Sequence, residues 1–245
     1  MKIRLAIVLL AVMASVPAYG QEVSISSGVY SQFLTDFGAT PNTDAVSISG
    51  VTVSHKGFRV GGYLIASLGK NIEETPQNEI DLLIAYNRNF DFGGWLGMVN
   101  VDAGFFYYDF ASPSLWSANG DYVQPFIELR REVVINDQHA ITPLVRFEAP
   151  IPLTDGTTGS HLYLGLGHSW NVAAGLVFSH NANLVFDDGA YGLDEGMLFL
   201  HRASLSWMIR DRFFITPSVK YTAPLMGALE RKPEIMFGCN VGLKF

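Results

Sequence analysis

The sequence is short of the residues and motifs that define several large classes of protein. Cys239 is the only cysteine among 245 residues, so no disulfide can form within the chain. Charged residues make up 16% of the chain, although hydrophobic residues make up 49%. No zinc-binding spacing of Cys and His and no glycine-rich phosphate loop occurs. These absences argue against disulfide scaffolds, zinc modules and nucleotide-binding folds, and we predict neither a metal nor a cofactor.

Basic residues are outnumbered by acidic ones. The chain has 16 Lys and Arg against 23 Asp and Glu, a formal net charge of −7 at pH 7. Two of the basic residues, Lys2 and Arg4, lie in the amino-terminal segment described next, so the remainder is more acidic still. Proteins that bind nucleic acid carry basic surfaces that neutralise phosphates. We therefore predict no nucleic-acid partner.

Long apolar runs are absent after the amino-terminal segment. There, two basic residues precede an apolar run over residues 5–16, which is followed by Pro17 and by small residues up to Gly20. This order predicts a secretory signal peptide over residues 1–20, cleaved after Gly20. The run is too short to span a bilayer as a stable helix. We expect residues 21–245 to form a single domain.

Apolar residues recur instead at every second position. Read backward from Phe245 to Ile235, alternate residues are apolar, and those between them are mostly small, polar or charged. Such alternation is typical of a β-strand with one apolar and one polar face. Where the apolar parity changes, at Gly50, we expect a β-bulge or a register irregularity. The pattern predicts twelve strands, at about residues 22–34, 45–55, 58–69, 79–90, 95–110, 122–135, 139–149, 161–170, 172–186, 197–209, 212–223 and 234–245.

The connections between these strands alternate in length. Every second connection is long, at 35–44, 70–78, 111–121, 150–160, 187–196 and 224–233. The others are tight, at 55–57, 91–94, 136–138, 171 and 210–211. Outer-membrane barrels have short periplasmic turns and longer extracellular loops. The sequence therefore predicts an all-β fold, a transmembrane antiparallel β-barrel of about 12 strands in the outer membrane of a Gram-negative bacterium.

Aromatic residues on the apolar faces support this prediction. One group lies near the tight turns: Phe58, Phe90, Trp95, Trp170, Trp207, Phe213 and Phe245. A second group lies near the long loops: Phe33, Tyr107, Phe147, Phe186, Phe199, Tyr221 and Phe237. Aliphatic residues dominate between the two groups. Two aromatic bands around an aliphatic belt are typical of a membrane barrel, and we predict outer-membrane lipid as a partner.

The opposite faces of the strands carry charges that would line the lumen. These residues are Arg59, Asp81, Asp102, Glu128, Arg130, Glu132, Arg146, Glu148, Arg202 and Lys220. The centres of the connections place Glu128 opposite Arg146 and Asp102 opposite Arg130. Two interpretations remain open. The charges form either the selectivity lining of a channel or a structural ladder that fills a narrow barrel.

Three classes of function follow from the barrel. The first is a porin-like channel for passive diffusion of small solutes, and the second is a non-conducting structural or surface-binding barrel. The third, a lipid-modifying enzyme, is disfavoured because none of the six His is followed by Ser two positions later. His180 and His201 occupy lipid-facing positions on neighbouring predicted strands, where we expect hydrogen bonding near headgroups. We predict that the protein is not an enzyme.

Four segments resemble a proteobacterial family of uncharacterised outer-membrane proteins, the TorF-type or Gcw_chp proteins. These segments are SSGVYSQFLTDFG, VSISGVTVSHKGFRVGGYL, NEIDLLIAYNRNF and GFFYYDF, within residues 22–110. Where that family commonly has an arginine-rich segment in the first hairpin, this chain has Thr35-Asp36-Phe37. The carboxyl-terminal Phe245 also resembles the terminal assembly signal of outer-membrane barrels. The resemblance implies a barrel inserted by the outer-membrane assembly machinery, and it offers no substrate or catalytic residue.

Overall fold

The computed structural model describes most of the chain after residue 20. The described ranges are 21–41, 43–69, 79–95, 97–110, 121–153, 156–228 and 231–245. The predicted signal peptide, the whole of the predicted loop 70–78 and residues 111–120 of the predicted loop 111–121 lie outside them. Among the residues that the structure describes, no helix is long and apolar enough to cross a membrane.

The described residues form one antiparallel sheet that closes on itself. Its strands are β1 (Glu22–Tyr30), β2 (Val46–His55), β3 (Phe58–Ser67), β4 (Glu79–Asp91), β5 (Met98–Phe110), β6 (Tyr122–Arg130), β7 (Val133–Val134), β8 (His139–Glu148), β9 (Ile151–Pro152), β10 (His161–Ala173), β11 (Leu176–Asp187), β12 (Gly196–Ile209), β13 (Phe213–Met226) and β14 (Glu234–Lys244). The short segments β7 and β9 extend β6 and β8. Consecutive strands pair throughout, and β1 pairs with β14. The predicted twelve-stranded barrel is confirmed.

Side-chain exposure is inverted relative to a soluble protein. On β10, Leu164 and Leu166 are exposed, whereas the alternate residues His161 and Tyr163 are buried. The exposed face is apolar, and the buried face carries most of the charges. Since lipid-facing residues of a membrane barrel are apolar, the exposed face is the outer one and the buried face is the inner one. The sequence alternation therefore specifies a barrel whose apolar surface points outward.

Aromatic side chains are exposed at both ends of the outer face. Trp95, Trp170 and Trp207 lie near the tight turns, with exposures between 40% and 82%. Phe147 and Phe237 are exposed near the long loops. Rings with an apolar body suit the two interfaces of a bilayer. The two aromatic bands expected from the sequence are therefore present on the outer surface.

Two local predictions are wrong. The tight turn between β10 and β11 lies at Ala174-Gly175 rather than at Asn171, because Gly175 supplies the positive φ of 72° that the turn requires. No bulge occurs at Gly50, which pairs in unbroken register with Ser26 on one side and Tyr63 on the other. The apolar parity of β2 changes there because its first residue, Val46, is fully buried rather than exposed to lipid.

Apolar residues also pack on the inner face, in two separate clusters. One cluster contains Tyr163, Val185, Leu198, Leu200 and Ala228. The other contains Leu83, Ala85 and Phe126, with Tyr63 and Phe106 packed against it. These clusters lie on opposite halves of the sheet. Side chains therefore occupy a substantial part of the barrel interior.

Candidate functional site

The chain after β1 turns into the barrel instead of continuing as a strand. We call residues 31–41 the inner loop. Leu34 is only 1% exposed, and its carbonyl oxygen accepts a hydrogen bond from Lys220 Nζ at 2.6 Å. A tight turn follows, because Thr35 Oγ1 accepts from Ala39 N at 2.9 Å and Gly38 adopts a φ of 78°. The turn presents Asp36 and Phe37 to the barrel wall.

Asp36 lies between two cations of the wall. Arg202 on β12 and Lys220 on β13 are directly opposed in the sheet. Like charges in that position destabilise a sheet. The carboxylate of Asp36 offsets their repulsion, since Oδ1 lies 2.6 Å from Lys220 Nζ and also forms an ion pair with Arg202. Sequence analysis identified both cations but missed Asp36, because it treated the residues around it as an ordinary external loop.

Phe37 fixes the inner loop to a second part of the wall. Its ring stacks on His161 and on Tyr191, with centroids 4.9 Å apart in each case. Its carbonyl oxygen accepts from Arg231 Nη1 at 2.8 Å, and Arg231 also forms an ion pair with Asp187. Burial raises the pKa of the Tyr191 phenol. The inner loop is thus tied to β10 and to the loops that follow β11 and β13.

A row of alternating charges crosses the inner face of β3, β5, β6 and β8. We call it the ion-pair row: Arg59, Asp102, Arg130, Glu128, Arg146 and Glu148. Asp102 Oδ2 lies 2.7 Å from Arg59 Nη2 and 3.5 Å from Arg130 Nη2. Glu128 Oε1 lies 2.9 Å from Arg130 Nη2, and its Oε2 lies 3.8 Å from Arg146 Nη1. Arg146 then pairs with Glu148, so each acid is paired with a base.

The register of the ion-pair row was predicted only in part. Glu128 lies opposite Arg146, as the short connection after β7 indicates. Asp102 lies opposite Glu128 and not opposite Arg130, so that prediction is wrong. The centre predicted for the long loop between β5 and β6 was one residue too far along the chain. A shift of one residue in the centre of a connection moves each cross-strand partner by two residues. Arg130 therefore reaches Asp102 only diagonally.

Arg59 is the partner of Asp102 that sequence analysis did not identify. The two residues come from strands separated by β4. Ala85 lies opposite Arg59, and Gly104 lies opposite Ala85, so no large side chain stands between the guanidinium and the carboxylate. These small residues are visible in the sequence. They become informative only once the register of three strands is known.

The remaining predicted residues lie apart from these two groups. Asp81 lies on β4, on the same face as Glu79. Glu132 lies beyond the end of β6, is exposed, and takes part in none of the ion pairs described above. Phe245 is exposed, and its backbone pairs with Val23 to close the barrel. Its role in assembly stays a prediction.

A small void separates the inner loop from the ion-pair row. It has a volume of about 50 Å³. Its lining residues are Asp36, Glu128, Leu144, Arg146, Tyr163, Asn181, Asn183, Leu200 and Arg202. Ligand pockets of proteins usually exceed about 300 Å³. The void is therefore too small for a ligand of ordinary size, and Asp36 of the inner loop forms part of its lining.

Four histidines form a row on the outer face. His180 and His201 project outward on β11 and β12 as predicted, with ring centroids 5.7 Å apart. The row continues through His168, whose Nδ1 lies 3.3 Å from His180 Nε2, to His139, whose Nδ1 lies 3.0 Å from His168 Nε2. Within the described ranges, no three or more His, Cys, Asp or Glu side chains are placed to hold a metal ion. His139, His168 and His180 share hydrogen bonds on this outer face, and His201 packs against His180.

Comparisons with known proteins identify the fold. Neither protein-family models nor curated proteins give a match. Among solved structures, the NanC porin matches with a TM-score of 0.55 and 11% identity, covering 91% of this chain and 98% of that one. The KdgM porin matches with a TM-score of 0.52 and 12% identity over the same shares. The COG4313 outer membrane channel from Pseudomonas putida F1 matches with a TM-score of 0.59 and 9% identity, covering 94% and 97%. The chain therefore has the fold of an outer-membrane β-barrel.

Proposed function

We propose that this protein is a porin-like channel for the passive diffusion of small solutes across the outer membrane of a Gram-negative bacterium. The observation that carries the proposal is a charged constriction. Asp36, Arg202 and Lys220 lie on one side of the interior, and the ion-pair row lies on the other. Charged side chains that line a narrow passage decide which ions can pass, which is a common basis of selectivity in channels.

The size of the barrel and its structural similarity to known channels support this proposal. Barrels of about eight strands are filled by side chains, whereas barrels of about sixteen strands leave an aqueous channel. Twelve strands lie between these limits. Several solved barrels that share the fold are titled porins or channels. We also propose that the chain has no catalytic role and that it is related to the TorF-type proteins, which it resembles in sequence.

A second candidate is a non-conducting structural or surface-binding barrel. The observation that favours it is the small void of about 50 Å³ beside the inner loop, together with the two apolar clusters on the inner face. An interior filled in this way would stabilise the barrel and pass no solute. Permeation measurements separate the two candidates.

The test is osmotic swelling of liposomes that contain the purified, folded protein. We expect swelling in solutions of small sugars, at rates that fall as the sugar becomes larger. Liposomes prepared with the same mass of boiled protein serve as the control. Swelling no faster than this control, from protein whose unboiled form still migrates as a folded barrel on a detergent gel, would favour the non-conducting candidate.

A further inference from the structure

The cations that Asp36 neutralises belong to a row of three polar residues. Asn181 on β11 lies opposite Arg202 on β12, which in turn lies opposite Lys220 on β13. All three side chains lie on the inner face. The adjacent cations Arg202 and Lys220, with the amide of Asn181 beside them, direct several N–H donors to one point. This is the kind of arrangement that binds a carboxylate.

Two polar atoms of this row are left without hydrogen bonds. Arg202 Nε and Asn181 Oδ1 are buried, and neither has a hydrogen-bond partner among the described residues. A buried polar atom without a partner costs free energy. The void beside them borders both residues and Asn183. A donor group placed in this space would satisfy Asn181 Oδ1.

The carboxylate that now occupies the row comes from a loop. Asp36 is the residue that forms ion pairs with Arg202 and Lys220 within the described part of the chain. Its side chain is 35% exposed, whereas that of Lys220 is 12% exposed. The acids of the facing wall are already paired in the ion-pair row. Asp36 is therefore the anion that can leave the row without breaking the sheet.

We infer that Asn181, Arg202 and Lys220 form a binding site for small hydroxycarboxylates, and that Asp36 occupies this site as a tethered substitute until a solute displaces it. The solute carboxylate would take the place of the Asp36 carboxylate between the two cations. Its hydroxyl would donate to Asn181 Oδ1. Displacement of Asp36 would remove its ion pairs to Arg202 and Lys220 and widen the constriction beside them, while Phe37 keeps the inner loop attached to β10. The inference rests on the proposed channel function and names the class of solute.

The first test is binding of lactate and propanoate to the detergent-solubilised barrel by isothermal titration calorimetry. Propanoate has the same carbon skeleton as lactate and lacks the hydroxyl. Because Asp36→Asn removes the competing carboxylate, we expect it to bind lactate at least about tenfold more tightly than the wild type. Propanoate should bind this variant about tenfold more weakly than lactate does. The double variant Asp36→Asn with Arg202→Gln should lose binding.

The matched control is Asp137→Asn, the same chemical change in an exposed periplasmic turn. It should bind lactate as the wild type does. Equal affinity of the wild type and Asp36→Asn for lactate would overturn the tethered-substitute role. No preference for lactate over propanoate would overturn the assignment of hydroxycarboxylates.

The second test is channel activity in planar bilayers. Lactate should raise the open probability of the wild type, whereas Asp36→Asn should be open without it and no longer respond. A wild type that conducts but ignores lactate would overturn the inference while leaving the channel intact. Absence of conductance in every variant, with lactate binding retained in the calorimeter, would instead contradict the proposed function and leave the site standing.

Discussion

Asp102 depends on two arginines that differ in distance and geometry. Its side chain is 4% exposed, and Arg59 lies 2.7 Å away while Arg130 lies at 3.5 Å. A buried carboxylate that loses its nearest cation is left with an uncompensated charge. Arg130, in contrast, also pairs with Glu128, which keeps Arg146 as a second partner. Arg59 therefore contributes more than Arg130 to the stability of the ion-pair row.

We expect Arg59→Ala to lower the free energy of unfolding by about 2 kcal/mol and Arg130→Ala by less than about 1 kcal/mol. The first value lies below that of a fully buried pair because Arg59 is 33% exposed. Guanidinium unfolding in lipid vesicles, followed by tryptophan fluorescence, measures both. A larger effect of Arg130→Ala would show that Asp102 relies on the diagonal contact.

These residues also show how far sequence reasoning extends. The pairing of Glu128 with Arg146 was predictable because the connection between their strands is short. The centre of a short connection can be placed accurately, and that centre determines which residues lie opposite each other. The pairing of Asp102 crosses a long loop and could not be placed to within two residues. Asp36 was missed for a different reason. Its position depends on a contact across the barrel interior, and local alternation holds no signal for such contacts.

The strand β2 illustrates a constraint at the scale of an element. Gly50 faces Tyr63 across the pair of β2 and β3, and a Cβ atom on Gly50 would lie 2.5 Å from Tyr63 Cδ1. The ring covers the glycine and fixes the register where the apolar parity changes. A bulge was predicted from that parity change. The structure keeps its register because the aromatic ring fills the space that the missing side chain leaves.

We expect Gly50→Ala to destabilise the barrel by about 1–2 kcal/mol, since the added methyl group forces the Tyr63 ring to move. Gly167→Ala is the matched control on the same inner face, because its Cβ would meet its nearest neighbour, Thr142 O, at an ordinary 3.5 Å. The control should be neutral or slightly stabilising. The measurement is the guanidinium midpoint of unfolding for both variants, and we expect a lower midpoint for Gly50→Ala. Equal midpoints for the two variants would contradict the role of the Tyr63 ring.

At the scale of the whole molecule, strand number and connection lengths were readable because each strand repeats the same alternation. The first strand is the instructive exception. The predicted strand continues to residue 34, but β1 ends at Tyr30 and the chain then turns into the barrel, where Leu34 is buried. An inward turn and an outward strand use similar apolar residues. The inner loop was therefore divided between the predicted strand 22–34 and the predicted external loop 35–44.

The central claim is that the inner loop constricts a barrel interior that the two apolar clusters already narrow. Single-channel conductance in planar bilayers tests it most directly, using the wild type and a variant whose residues 32–41 are replaced by the same number of Gly and Ser. A flexible polar segment cannot hold the ion pairs of Asp36 or the stacking of Phe37. The account predicts severalfold higher conductance for the variant than for the wild type. A variant that migrates as a folded barrel but passes no current would contradict it.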